Sequence, residues 1–251
     1  MSETTLLNYR RRLERILEKR EIILKFLRDE TWTNVYVLQL LLDFKSVQAV
    51  YQTLQKMERD GFVKRAEIKV FHGRPVSLWG ITEMGLHYSF SLDESLETWK
   101  IFEPSKIKPI IMQHKIDLQI SRVKAEQNHW TKWIPGELLG KRLKSMKIPD
   151  AVAINPHGES IAIELERTIK SRKRYMEILV SHLVQRKNGV WNKIYYLSPD
   201  KDLSARIKRA FYSIEKATHN GKKFTVTENH LKPFSFYSFN ENDWLTKGED
   251  K

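Results

Sequence analysis

The chain has 251 residues, room for one large domain or two small ones with real cores. Its 44 basic against 31 acidic residues leave a formal net charge of +13, so a polyanion, nucleic acid or an anionic membrane, is the natural partner. Zero cysteines exclude disulfides, thiol catalysis and cysteine-ligated zinc; with no apolar run of transmembrane length and no signal-peptide core at the N-terminus, a cytoplasmic protein without membrane insertion is expected.

Residues from about Asn8 to Arg28 read as a helix, charged at first and then apolar at Ile22, Ile23, Phe26 and Leu27. Thr33 or Asn34 can cap a second helix through Val35, Val37, Leu38 and Leu41, and Ser46 can cap a third. In the third, Val47, Val50, Tyr51, Leu54 and Met57 form the inward stripe, while Gln48, Gln52, Gln55, Lys56 and Arg59 face outward. Asp60-Gly61 ends it, and two strands follow, Phe62 to Phe71 and Pro75 to Ile81, joined by His72-Gly73-Arg74. Three helices and then a basic hairpin resemble a winged helix-turn-helix. In that fold the last helix enters the major groove, where Gln48, Gln52 or Gln55 can bond adenine. Lys45, Lys56 and Arg59 are expected on phosphate, and Arg74 at the wing tip in the minor groove. Winged helices also serve as protein-interaction modules; the polar outward face favours DNA. A helix near Thr82 to Ser91 closes this domain, and Leu92 to about Lys108 reads as a linker, giving domains 1–97 and 98–251.

In the second domain, Pro109 to Gln127 reads as a helix and Trp130 to Leu139 as a strand interrupted at Pro135-Gly136, delivering Glu137. Ile148 to Ile154 and Ser160 to Glu166 flank the turn sequence Asn155-Pro156-His157-Gly158-Glu159, the pattern of a β-hairpin. A turn centred near His157 sets Asp150 opposite Glu164, and Glu166 points to the same side, with Ile161, Ile163 and Leu165 on the other. Carboxylates gathered on one face need protons, cations or a hard divalent metal; oxygen donors suit Mg²⁺ or Mn²⁺. The alternative is a pair of solvated edge charges facing the basic helix that follows.

Pro149-Asp150, the hairpin and Glu164-x-Glu166 resemble the restriction-endonuclease-like nuclease core, whose signature is P-D followed by D/E-x-K. Here Glu166 stands where that signature has lysine, and the first downstream lysine is Lys170. The longer string, Pro149-Asp150-Ala151-Val152 through Glu164-Leu165-Glu166-Arg167-Thr168, Lys170-Ser171 and Arg174-Tyr175, further resembles the MobC-type relaxases of mobilizable plasmids and the replication-relaxation proteins. The resemblance is strongest from Ile148 to Tyr175. It implies that Asp150 and Glu164 hold Mg²⁺ or Mn²⁺, that Glu166 ligates metal or acts as a base, and that Lys170 stabilises charge on the phosphate. For Lys170 plain attraction to phosphate is an equal reading, and Glu137 is a weaker candidate for a further metal contact, more simply an ordinary loop glutamate.

Thr168 to Lys187 reads as a basic helix, Trp191 to Leu197 as a strand, Asp202 to Ala217 as a helix and Lys223 to Thr227 as a last strand. The expected fold is α+β, a winged helix followed by a mixed-sheet α/β nuclease core with helices on both faces. The aromatic stretch from Phe234 to Phe239 is expected to pack back onto the sheet, with stacking on single-stranded bases as the other use. Tyr175, Tyr195 and Tyr196 lie near the carboxylates, and none is singled out as a nucleophile. The resemblance implies a site-specific nickase acting on supercoiled plasmid DNA at a transfer origin, with single-stranded DNA and a coupling or relaxosome protein as further partners. A double-strand restriction-type endonuclease and a non-catalytic relaxation or replication accessory protein are the alternatives.

Overall fold

A computed structural model describes residues 3–70, 73–90, 99–139 and 147–246. Phe71 and the turn residue His72, the first part of the expected linker (92–98) and the extreme C-terminus lie outside them. The class is mixed α/β with several sheets, and the chain divides into two compact units, Met1–Ile120 and Ser121–Lys251. No helix among the described residues is long and apolar enough to cross a membrane.

In the first unit, α1 (Glu3–Glu30) leads into a two-residue strand, β1 (Trp32–Thr33). Then come α2 (Val35–Leu41), α3 (Val47–Arg59), β2 (Val63–Ile68), β3 (Val76–Ile81) and α4 (Glu83–Tyr88). Caps set the helix starts. The Asn34 side chain accepts from Val37 N at 2.9 Å, Ser46 from Ala49 N at 3.3 Å and Thr82 from Gly85 N at 3.0 Å. The sheet order is β1-β3-β2, antiparallel throughout. Ile23, Leu27, Leu38, Val50, Leu54, Trp79 and Ile81 are buried beneath it. β1 is absent from the sequence reading, because two residues between helices carry no alternation.

The second unit takes up α5 (Pro109–Gln127) from Ser121 on, then β4 (Thr131–Pro135), α6 (Gly136–Leu139), β5 (Ala151–Ile154) and β6 (Ser160–Leu165). After these run α7 (Arg172–Lys187), β7 (Lys193–Ser198), α8 (Lys201–Tyr212), β8 (Lys216–His219), β9 (Lys222–Thr225), α9 (Glu228–Leu231), β10 (Phe234–Ser238) and α10 (Asp243–Thr246). The five-stranded sheet has the order β10-β7-β6-β5-β4: β4, β5 and β6 are antiparallel, and β6, β7 and β10 are parallel. Two crossovers moving the same way across one sheet put their helices on one face. Accordingly Tyr175, Ile178 and Leu179 of α7 and Ile207 and Phe211 of α8 share a core with Ala162, Ile194, Tyr196 and Phe234. On the opposite face Tyr195 meets Trp130 and Tyr237, and Trp130 meets Trp244 of α10.

Several boundaries differ from the sequence reading. Lys222–Thr225 pairs only with β8 in a separate hairpin, and the aromatic stretch Phe234–Ser238 supplies the last strand of the main sheet. Its large side chains fill both faces of a parallel edge, so it lacks the polar alternation that marks a half-exposed strand. The strand expected to Leu139 stops at Pro135, and Glu137 lies exposed on the single-turn helix α6. The basic helix begins at Arg172, because Ser171 caps it by accepting from Arg174 N at 3.3 Å; Lys170 therefore precedes the helix.

Candidate functional site

The β5–β6 register pairs Ala151 with Ile163 and Ala153 with Ile161, so the next positions outward are Asp150 and Glu164. The turn that sets this register is held by Asn155, whose Oδ1 accepts from His157 N at 3.1 Å and Glu159 N at 2.9 Å, with Gly158 at φ +79° completing it. Pro149 and Asp150 are fixed on their other side by the start of α6, just after β4: Gly136 N donates to the Asp150 carbonyl at 2.8 Å. A Cβ at Gly136 would lie 2.2 Å from the Pro149 carbonyl oxygen, so glycine alone permits that approach.

Glu164 and Glu166 keep only 8% and 5% of their surface exposed, so each carboxylate needs a partner. Both have one. Lys147 places its ammonium on Glu164 Oε1, and His182 Nε2 of α7 lies 2.9 Å from the same oxygen. Lys170 is ion-paired with Glu166 Oε2, and its backbone N–H donates to the buried Tyr175 hydroxyl at 3.1 Å, anchoring the loop ahead of α7. Asp150 Oδ2 accepts from Leu165 N at 2.7 Å. Asp150, Glu164, Glu166 and Lys170 thus form one charged cluster at the carboxyl end of β6.

Burial shapes the protonation of this cluster. Desolvation pulls Lys147 down from the usual lysine range to about 7, against the attraction of Asp150. Lys170 is lowered for the same reason, also opposed by Asp150. His182 is held well below its ordinary value by burial and then by the charge of Lys147. Its Nδ1 has no hydrogen-bond partner, so the neutral ring carries its proton on Nε2 and donates it to Glu164. No family, curated protein or solved structure matches this chain. What the cluster does is read from its own chemistry.

As donors, Asp150 and Glu164, the positions next beyond the Ala151–Ile163 pair, offer hard oxygens of the kind an Mg²⁺ or Mn²⁺ ion takes, one or two carboxylates with the rest left to water and phosphate. Among the described residues no three acidic or histidine side chains are grouped to cage a metal, so a set that also includes Glu166 is not assembled here. Lys147 and His182 were not among the sequence candidates. Lys147 ends a lysine-rich run that reads as solvated charge, and His182 is one of eight scattered histidines; position −3 from Asp150 was the available signal for the lysine. Tyr175, Tyr195 and Tyr196 are all buried; Tyr195 faces the opposite side of the sheet, and burial raises the phenol of each.

In the first unit, Gln48, Gln52, Gln55, Lys56 and Arg59 lie exposed along α3, with the exposed Lys45 just ahead of its cap. Val50, Leu54 and Met57 are buried on the other side of that helix. Arg74 is exposed between β2 and β3. Polar and basic residues therefore share one helix face, with a cation at the hairpin tip.

Proposed function

We propose that this chain is a metal-dependent DNA-nicking protein. In this reading the first unit is a winged helix-turn-helix that docks on duplex DNA through α3 and Arg74, and the second is a restriction-endonuclease-like core. The observation that carries it is the placement of Asp150 beside the end of β6, where its carboxylate accepts from Leu165 N next to Glu164, with a lysine ammonium on each of Glu164 and Glu166. Support comes also from the element order around it: a helix, the antiparallel β4, β5 and β6, a crossover helix and the parallel β7, which is the order expected of that core.

Asp150 and Glu164 are the residues to hold Mg²⁺ or Mn²⁺, and bound there the ion supplies Lewis-acid polarisation of a phosphate oxygen. The chain's own groups do the rest. Lys170, 37% exposed at its side chain, reaches solvent and offers positive charge to the phosphodiester. Lys147 is half-buried and, with its pKa lowered to about 7, exchanges its proton readily near neutral pH, which suits it to accept or return a proton next to Glu164. His182 fixes the Glu164 carboxylate from behind, as an outer partner that orients a donor oxygen. Glu166, paired with Lys170, acts by positioning that lysine. Site-specific nicking at a plasmid transfer origin is the most concrete biological setting. A second reading, a DNA-binding accessory protein whose nuclease core is retired, is favoured by one observation: lysines already neutralise both glutamates.

The test is a gel assay on the supercoiled replicon that carries this gene. Wild type, Asp150→Ala and Glu164→Ala are compared with and without Mg²⁺ or Mn²⁺, and reactions are stopped in SDS with and without protease. Metal-dependent open circles, lost in both variants, are expected. Linear product would instead identify a double-strand endonuclease. Binding without cleavage in every sample sinks the catalytic reading and leaves the accessory protein.

A further inference from the structure

A cleft of about 820 Å³ lies at the other end of the same sheet. Glu164 and Glu166 stand where β6 ends; this cleft is lined where β7 and β10 begin, by Asn192, Lys193, Lys232 and Pro233 among others. Its size falls within the roughly 300–1,000 Å³ of small-ligand sites and far exceeds what a single phosphate group fills.

Four cations line it, Arg186, Lys193, Lys208 and Lys232, against one carboxylate, Glu159. Glu159 pairs with Lys193 at 2.9 Å and is itself fixed by Asn155 Nδ2 at 2.9 Å. Arg186, Lys208 and Lys232 have no carboxylate partner among the described residues. Arg186 is pre-oriented, because its Nε donates to the Asn192 carbonyl at 3.0 Å. Tyr212, 51% exposed, offers its ring to the cleft with Lys208 Nζ 5.6 Å from the ring centroid. Phe236 and Tyr237 are partly exposed beside it. A pre-oriented guanidinium and two ammoniums with no carboxylate partner, next to an exposed tyrosine ring, match a ligand that joins phosphate to a flat ring.

We propose that this cleft binds a nucleoside phosphate, presented as a free nucleotide or as a nucleotide within a single strand. Arg186, Lys208 and Lys232 take the phosphate, and Tyr212 stacks on the base. Bases inside a duplex have no free face, so a duplex does not fill the site. The carboxylate cluster plays no part in this binding, and the proposal stands or falls apart from the nicking reading.

The test uses the full chain in EDTA, with a fluorescein-labelled oligothymidylate followed by anisotropy across a salt series. Lys208→Ala/Lys232→Ala is expected to reduce the slope of log affinity against log salt by up to about 0.7, the contribution of one phosphate contact. Tyr212→Ala is expected to weaken binding by about fivefold to a hundredfold, with Tyr212→Phe retaining it. Lys106→Ala, an exposed lysine paired with Glu103 and outside the cleft, is expected to leave strand binding within about twofold. Displacement by thymidine monophosphate identifies a free nucleotide as a ligand; displacement by oligonucleotide alone identifies a strand. All three cleft side chains are exposed, and an unchanged melting temperature certifies the fold. The proposal is overturned if wild type binds neither probe, or if the lysine pair and Tyr212→Ala both leave affinity and slope unchanged. It is equally overturned if polyglutamate displaces the strand as well as oligothymidylate does and Tyr212→Ala has no effect.

Discussion

Gly136→Ala probes how the candidate site is held, because the added methyl meets backbone and no side chain can swing aside. The new Cβ would sit 2.2 Å from the Pro149 carbonyl oxygen and 3.2 Å from that of Asp150. Ordinary contact begins near 3.4 Å, so the Pro149 peptide has to retreat by about 1.2 Å (3.4 minus 2.2). Forced overpacking of one methyl costs about 1–3 kcal/mol, and losing the Gly136 N to Asp150 O bond adds about 0.5–1.5 kcal/mol. The expected loss is about 1.5–4.5 kcal/mol. Urea unfolding followed by tryptophan fluorescence measures it, with Trp133, buried in β4, as a local reporter. An ångström of displacement at Asp150 is also expected to cut any nicking activity by about a hundredfold. A variant within about 0.5 kcal/mol of wild type, with unchanged m-value, would refute the claim that the start of α6 and the Pro149-Asp150 segment are locked together there.

Stability is expected to rise with pH in two windows. The unfolded chain takes up a proton on His182 near pH 6.5 that the fold refuses, so stability falls below that pH by up to about 1.4 kcal/mol per unit. Lys147 works in the same direction: between about 7 and its unfolded value near 10.4 the unfolded chain holds the extra proton, so stability climbs across that range. Urea midpoints from pH 5 to 10 read both limbs; His182→Asn should flatten the acid limb and Lys147→Met the alkaline one. Tyr196→Phe removes a buried hydroxyl that has no hydrogen-bond partner and is expected to be neutral or stabilising by about 1 kcal/mol, with nicking unchanged. Destabilisation beyond 1 kcal/mol, or lost nicking, would show that the hydroxyl has work to do. For duplex DNA, Lys56→Ala/Arg59→Ala should lower the salt slope of binding by about 1.8, at about 0.9 per phosphate contact; an unchanged slope would remove α3 from the interface.

The hairpin was readable because its signals agree: turn residues Asn155 to Glu159, apolar alternation on both sides, and a register that carries Asp150 to Glu164. The cap at Ser46, and the choice of Thr33 or Asn34 that the structure resolves to Asn34, were readable for the same reason, a polar side chain just ahead of an apolar stripe. What failed to show was whatever depends on distant packing. β10 is a strand because β7 accepts it in parallel, and its aromatics alone do not say so. Lys147 joins Glu164 only through the fold of the segment before β5, and His182 only through the docking of α7. Lys170 was read as facing phosphate; its ion pair with Glu166, made from a loop pinned by Tyr175 and not from a helix, was not foreseen.

The two margins of the five-stranded sheet are guarded unequally. β4 is broken by a register shift between Thr131 and Ile134, with Lys132 at φ +52°, an irregular and charged border that discourages a second chain from pairing. β10 runs in unbroken register along five residues of β7, and Phe234-Ser235-Phe236-Tyr237-Ser238 carries no charge. Self-association at high concentration should therefore begin along β10, by strand-to-strand addition. A lysine at the half-buried Ser235 is the smallest change that would give this border the protection β4 already has.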